Sequence, residues 1–138
     1  MMANGEKLIT AGTDTHLVMW DLRPHGLTGS KVEKILDLMH MTTNKNSVVG
    51  DKSALTPGGI RLGTPALTTR GMLEVDMETV AGFLHRGIAL ALKIQATSGK
   101  KLADFLVALQ GNEELAALAA EVTAFARGFS IPGIYTEL

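Results

Sequence analysis

The stretch that decides the fold is HLVMWDL, residues 16–22. Successive residues of a strand point to opposite sides, so Leu17 and Met19 fall on one face and Val18, Trp20 and Leu22 on the other. Both faces are apolar, the pattern of a strand covered on both sides. Just upstream, Lys7 to Thr10 form a short apolar run, and Gly12, Thr13 and Asp14 supply turn chemistry. The two runs read as a hairpin.

Downstream, residues 24–29 form a loop. Ser30 and Glu33 fit a capping box, in which the hydroxyl and the carboxylate satisfy free N–H groups at a helix start. Val32, Ile35, Leu36 and Met39 follow at helical spacing, with an end expected near His40. Residues 42–49 read as β-prone or irregular. Residues 59–63, GIRLG, read as a strand in which Arg61 points away from Ile60 and Leu62. Residues 64–71 read as a second loop.

The second half changes character and becomes rich in alanine and leucine. Glu74, Asp76 and Glu78 suit the positive end of a helix. Met77, Val80, Ala81, Leu84, Ile88, Ala91 and Leu92 form one apolar stripe, with Gly99 as its stop. Leu102, Phe105, Leu106 and Leu109 form a shorter face ending at Gly111. Asn112 caps a last helix whose apolar face runs from Leu115 through Leu118, Ala119, Val122, Phe125 and Ala126 to Phe129. Strands first and helices after imply an α+β domain rather than repeating βαβ units.

Composition sets the outer bounds. The 138 residues carry 13 basic and 14 acidic side chains and no cysteine. The length suits one domain and lets it bury a substantial core without cross-links. Without cysteine there is no disulfide framework and no thiolate chemistry. A formal charge of -1 argues against partners that need a basic patch, nucleic acid and anionic membrane among them. The start has no basic, then apolar, leader pattern. The most apolar helical stretch, residues 83–94, is broken by His85, Arg86 and Lys93, which excludes a membrane span.

Few residues offer chemistry. His16, His25, His40 and His85 never pair at i, i+3 or i+4, so they read as surface or locally bonded groups rather than metal ligands. Residues 26–31, GLTGSK, hint at a phosphate loop but lack its spacing; an anion at the helix start is the residual reading. No dinucleotide fingerprint is present. Arg61 stands out. A lone arginine in a short apolar strand meets either a local carboxylate or an anionic ligand. Its planar fork suits a carboxylate. Asn46 carries an amide able to read a heterocycle edge, and its ordinary reading is a turn cap.

The stretches GTDTHLV, DLR, GLTG, KVE, NKNSV, GDKSAL and GIRLGTPALTTRG, spanning residues 12–71, together resemble the C-terminal part of the serine hydroxymethyltransferase family, its eukaryotic members most. FLHR at residues 83–86 and FSIPG at residues 129–133 continue the likeness, so it covers nearly the whole chain. One departure is Thr15, where the family's usual motif has asparagine. The resemblance implies a single domain over residues 1–138. It would be the small domain of a fold-type I pyridoxal-phosphate enzyme, with a mostly antiparallel sheet of three to four strands against about four helices.

For a complete enzyme the resemblance implies conversion of serine and tetrahydrofolate into glycine and 5,10-methylenetetrahydrofolate. Arg61 falls on the family's substrate-carboxylate arginine and Asn46 on its folate-contacting asparagine. The imine lysine of the pyridoxal 5'-phosphate cofactor follows a histidine in that family. Here the four histidines precede Leu17, Gly26, Met41 and Arg86. The expectation is therefore a chain with no catalytic residue and no bound cofactor or metal of its own, inactive alone, supplying contacts to serine, glycine and folate. A stand-alone binding or subunit-interaction module is the alternative. Cytoplasmic placement and self-association through faces that another domain would cover complete the expectations.

Overall fold

The computed structural model describes Met1 and residues 5–133. The two ends of the expected 1–138 span, residues 2–4 and 134–138, lie outside the described residues. Strand β1 (Leu17–Asp21) leads to helix α1 (Gly29–Leu38), then β2 (Asn44–Asn46) and β3 (Gly59–Gly63). Helices α2 (Pro65–Thr69), α3 (Glu74–Ser98), α4 (Leu102–Leu109) and α5 (Glu113–Arg127) follow. The described residues thus form an α+β domain of one three-stranded sheet and five α-helices, as expected. Among them no helix is long and apolar enough to cross a membrane.

The sheet is antiparallel in the order β1-β3-β2, with β3 central. Trp20 pairs with Ile60, and Ile60 with Lys45, on the face that meets the helices. Trp20, Leu22, Val32, Ile35, Leu36, Met39, Ile60 and Phe105 are fully buried there. Each such side chain contributes roughly 1.5–3 kcal/mol through removal of apolar surface from water.

Several expectations need correction. Residues 7–10 are not a hairpin strand. Leu8 makes one isolated bridge to Trp20, Asp21 N–H donates to the Lys7 carbonyl (2.9 Å), and Ile9–Ala11 then turn as a 3-10 helix. Thr10 and Ala11 take positive φ there, which no strand continues. The cap of α1 is Thr28, whose hydroxyl accepts from Lys31 N–H (3.4 Å), not Ser30. Glu33 instead accepts from Lys45 N–H (2.9 Å) and ties α1 to β2. Residues 64–71 are not all loop: Pro65 opens the short α2, at the position where its missing N–H costs nothing.

On α3, Leu84, Ile88 and Ala91 of the expected stripe are buried, whereas Met77, Val80, Ala81 and Leu92 are only half-buried. Phe83, Gly87, Leu90 and Ile94 complete the buried face. Gly87 marks the crossing with α1, because a Cβ there would stand 3.0 Å from Met39 Sδ and 3.1 Å from Leu36 Cδ2. Gly99 ends α3 at positive φ, and Asn112 caps α5 through Leu115 N–H (2.9 Å). Arg70 fastens the α2 turn to the end of α5 by donating to the carbonyls of Ala126, Phe129 and Ser130.

Candidate functional site

The sheet face away from the helices carries the candidate site. Arg61 in β3 lies between Met19 of β1 and Asn44 of β2 in register. One pleat away, Gly59 lies between Asp21 and Asn46. Alternation therefore puts Met19, Asp21, Asn44, Asn46 and Arg61 on one face. Arg61 is exposed and, among the described residues, has no carboxylate or hydrogen-bond partner. Of the two readings open to a lone arginine, the internal salt bridge is not made among the described residues.

The two ends of this face differ. At the Gly59 end, the loop after β2 folds over the sheet. Asp51 accepts from the N–H groups of Val48 (2.9 Å) and Gly58 (2.8 Å), pinning both ends of that loop. These bonds hold its carboxyl below the usual aspartate range. Asp21 is fully buried beside it and takes a two-pronged grip from Arg23 (2.8 and 2.9 Å) and a contact from Lys7 (2.9 Å). The Arg23 guanidinium drives the Asp21 carboxyl far below its ordinary value, against the opposing effect of burial.

Gly58 and Gly59 of GGIRLG serve protein packing. A Cβ on Gly58 would meet Asp51 Oδ1 at 2.5 Å, and one on Gly59 would meet Val48 Cγ1 at 2.6 Å. The Arg61 end stays open, because Leu17 and Met19 are only half-buried and Asn44 and Gly63 are exposed. The strand pattern predicts cover on both faces of β1; here Trp20 on one face and Asp21 on the other are buried, while Leu17 and Met19 are only half-covered.

Asn46 shares the face with Arg61, although its Nδ2 is engaged by the Ser47 carbonyl (2.9 Å) and it lies toward the filled end. The GLTGSK segment offers no anion seat at its helix start. Gly29 N–H donates to the Pro57 carbonyl (2.7 Å), and a Cβ on Gly29 would stand 2.3 Å from the Gly59 carbonyl oxygen.

The expected surface placement holds for His16 and His40, whereas the bonds of His40, His25 and His85 run to residues far along the chain rather than to local ones. His40 Nδ1 meets Thr123 Oγ1 (2.9 Å), and His16 is exposed. Local spacing could not reveal that His25 Nε2 (2.7 Å) and His85 Nε2 (3.3 Å) both reach the Glu6 carboxylate. That carboxylate also accepts the Trp20 indole N–H (2.9 Å). Among the described residues no group of three or more His, Cys, Asp or Glu could hold a metal ion.

A pyridoxal cofactor needs an accessible lysine amine facing an anion cradle. Lys31, the buried lysine, does not fit. Its ammonium donates to Gln95 Oε1 (2.6 Å) and the Gly99 carbonyl (3.4 Å) and lies over the Phe105 ring. Burial pushes its pKa down. Lys7, Lys34, Lys45 and Lys93 are paired with carboxylates, and Lys52, Lys100 and Lys101 are exposed. Lys31, the buried lysine among the described residues, is thus not a seat for that group.

The described residues thus form an α+β domain with one sheet face packed on helices and the other presenting Arg61, without a carboxylate or hydrogen-bond partner among them, beside two asparagines. The chain belongs to the serine hydroxymethyltransferase family, whose model matches residues 1–84. It is 51% identical over 133 residues to serine hydroxymethyltransferase 4 of Arabidopsis thaliana, covering 96% of this chain and 28% of that protein. It is 47% identical over 136 residues to the cytosolic enzyme of Oryctolagus cuniculus, covering 94% and 28%. To the chloroplastic serine hydroxymethyltransferase 3 of Arabidopsis thaliana it is likewise 47% identical over 136 residues, covering 94% and 26%. The chain thus spans little more than a quarter of these relatives' length, and they include cytosolic and chloroplastic forms.

Proposed function

We propose that this chain acts as the small, substrate-contacting domain of a serine hydroxymethyltransferase, a transferase of one-carbon groups. In complete form such an enzyme interconverts serine plus tetrahydrofolate with glycine plus 5,10-methylenetetrahydrofolate. Arg61 binds the amino-acid carboxylate, and Asn46 contacts the folate through its remaining amide oxygen. Pyridoxal 5'-phosphate belongs to the rest of the enzyme, and the chain alone is inactive.

The observation that carries this reading is Arg61, an exposed guanidinium on a central strand with no carboxylate partner among the described residues. The half-covered Leu17–Met19 face of β1 supports it, since an apolar strand face of this kind calls for a covering surface. A half-site lacks the walls and polar partners that would make it bind tightly by itself.

A chimaera tests the proposal. This chain would replace the matching segment of the Arabidopsis serine hydroxymethyltransferase 4. The expected result is serine–glycine interconversion that Arg61→Ala abolishes and Arg61→Lys restores only weakly, with KM for serine raised at least about tenfold. Equal activity of the Arg61→Ala chimaera and its parent overturns the assignment. The isolated chain, mixed with pyridoxal 5'-phosphate, should develop no visible imine band.

A further inference from the structure

We propose that Asn44 is a second ligand of the carboxylate that Arg61 receives, an inference that rests on the function proposed above. NKN places two asparagines on one sheet face, and their settings differ. Asn44 stands directly opposite Arg61 in the β2–β3 register, whereas Asn46 stands opposite Gly59. Directly opposed residues have their Cβ atoms about 5 Å apart, and diagonal ones about 7–8 Å. Asn44 is therefore the asparagine nearer the guanidinium.

The availability of the two amides points the same way. The Asn46 Nδ2 donor is engaged by the Ser47 carbonyl (2.9 Å). Asn44 is exposed, and among the described residues its side chain has no hydrogen-bond partner. It does not hold Arg61 in place either, so its N–H donors are free for a ligand. On the far side of Arg61 the neighbour is Met19, which offers no donor.

The chemistry fits one planar anion. A carboxylate has about four lone-pair sites, of which a forked guanidinium takes two, one on each oxygen. A neutral amide on the β2 side can donate to a third without adding charge. Arginine thus supplies the attraction, and Asn44 fixes the tilt of the carboxylate about the guanidinium plane. An acidic side chain at position 44 would instead pair with Arg61 and close the site.

Nitrogen-15 NMR of the chain itself, titrated with glycine, tests this directly. The Arg61 Nε–H and the Asn44 side-chain NH2 resonances should shift together with one saturation curve. Asn44→Ala should weaken glycine binding about five- to tenfold. Asn44→Asp should weaken it further, while Asn44→Gln recovers part of the loss. The Trp20 indole resonance reports that each variant is folded. If Arg61 shifts and the Asn44 amide does not, the inference is wrong and the role of Arg61 stands. If neither moves at tens of millimolar glycine, the chimaera decides: an Asn44→Ala chimaera that matches its parent in KM for glycine overturns the inference, while loss of activity in Arg61→Ala keeps the Arg61 role.

Discussion

Among the described residues, Asp21 and Lys31 are the two ionisable side chains with essentially no exposed surface, and they work in opposite senses. Asp21 is surrounded by cations and donors, so its ionised form is favoured by folding. Asp21→Asn should cost about 2–3 kcal/mol at neutral pH, toward the low end for a broken buried pair because Lys7 and Arg23 are partly exposed. Since the folded-state pKa is depressed, wild-type stability should fall as pH drops below the ordinary aspartate value of about 3.9. The variant should lose less over that window in urea titrations, with the remaining slope coming from groups such as Asp51, whose pKa is also lowered. Lys31 meets only neutral acceptors, and burial disfavours its charge. Its unfolded form binds the proton more tightly, so stability should rise with pH toward the ordinary lysine value of about 10.4. Lys31→Met should gain about 1 kcal/mol at neutral pH and lack that alkaline rise.

Among the elements, glycines separate crowded from open backbone. Around Gly82 of α3 nothing stands within 4 Å of where a Cβ would sit, so Gly82→Ala should stabilise by about 0.5–1 kcal/mol through helix propensity. Gly29, at the start of α1, faces the Gly59 carbonyl at 2.3 Å from the same position, and Gly29→Ala should cost about 1–3 kcal/mol through overpacking. Thermal melts of the two variants should move in opposite directions. The same elements show what a sequence can carry. The alternation in HLVMWDL and GIRLG is local, and it is enough to place the strands and the outward direction of Arg61. The stop at Gly99 and the cap at Asn112 are local as well. The tie at the start of α1 is not, because Gly29 N–H goes to Pro57, a partner far along the chain. Nor is the end of the edge segment at residues 7–10, where one bridge to Trp20 does not extend into a ladder. Which asparagine neighbours Arg61 depends on strand register, which one chain's alternation does not reveal.

For the molecule as a whole, apolar side chains stand on the outside. Val49 and Leu55 are 88% and 89% exposed, and Leu73, Val75 and Val107 are each at least 64% exposed. Together with the half-covered face of β1, they should drive association of the isolated chain. Light scattering should show a mass rising with concentration above the monomer's 14.6 kDa. A constant monomer mass at high concentration would count against it. Replacing Val49 and Leu55 by serine should shift the distribution toward monomer with little change in unfolding midpoint.

The sequence contains one tryptophan, and its surroundings make it an optical probe. Trp20 is fully buried, gives its indole N–H to Glu6, and has the His25 and His85 rings edge-on at 6.3 and 5.9 Å. Protonated imidazoles quench indole emission by accepting an excited electron, so both rings lie within quenching range. Detachment of the strand-edge segment bearing Glu6 would alter the indole's hydrogen bond before the core opened. Emission wavelength and lifetime should therefore distinguish release of that segment from global unfolding, without any added label.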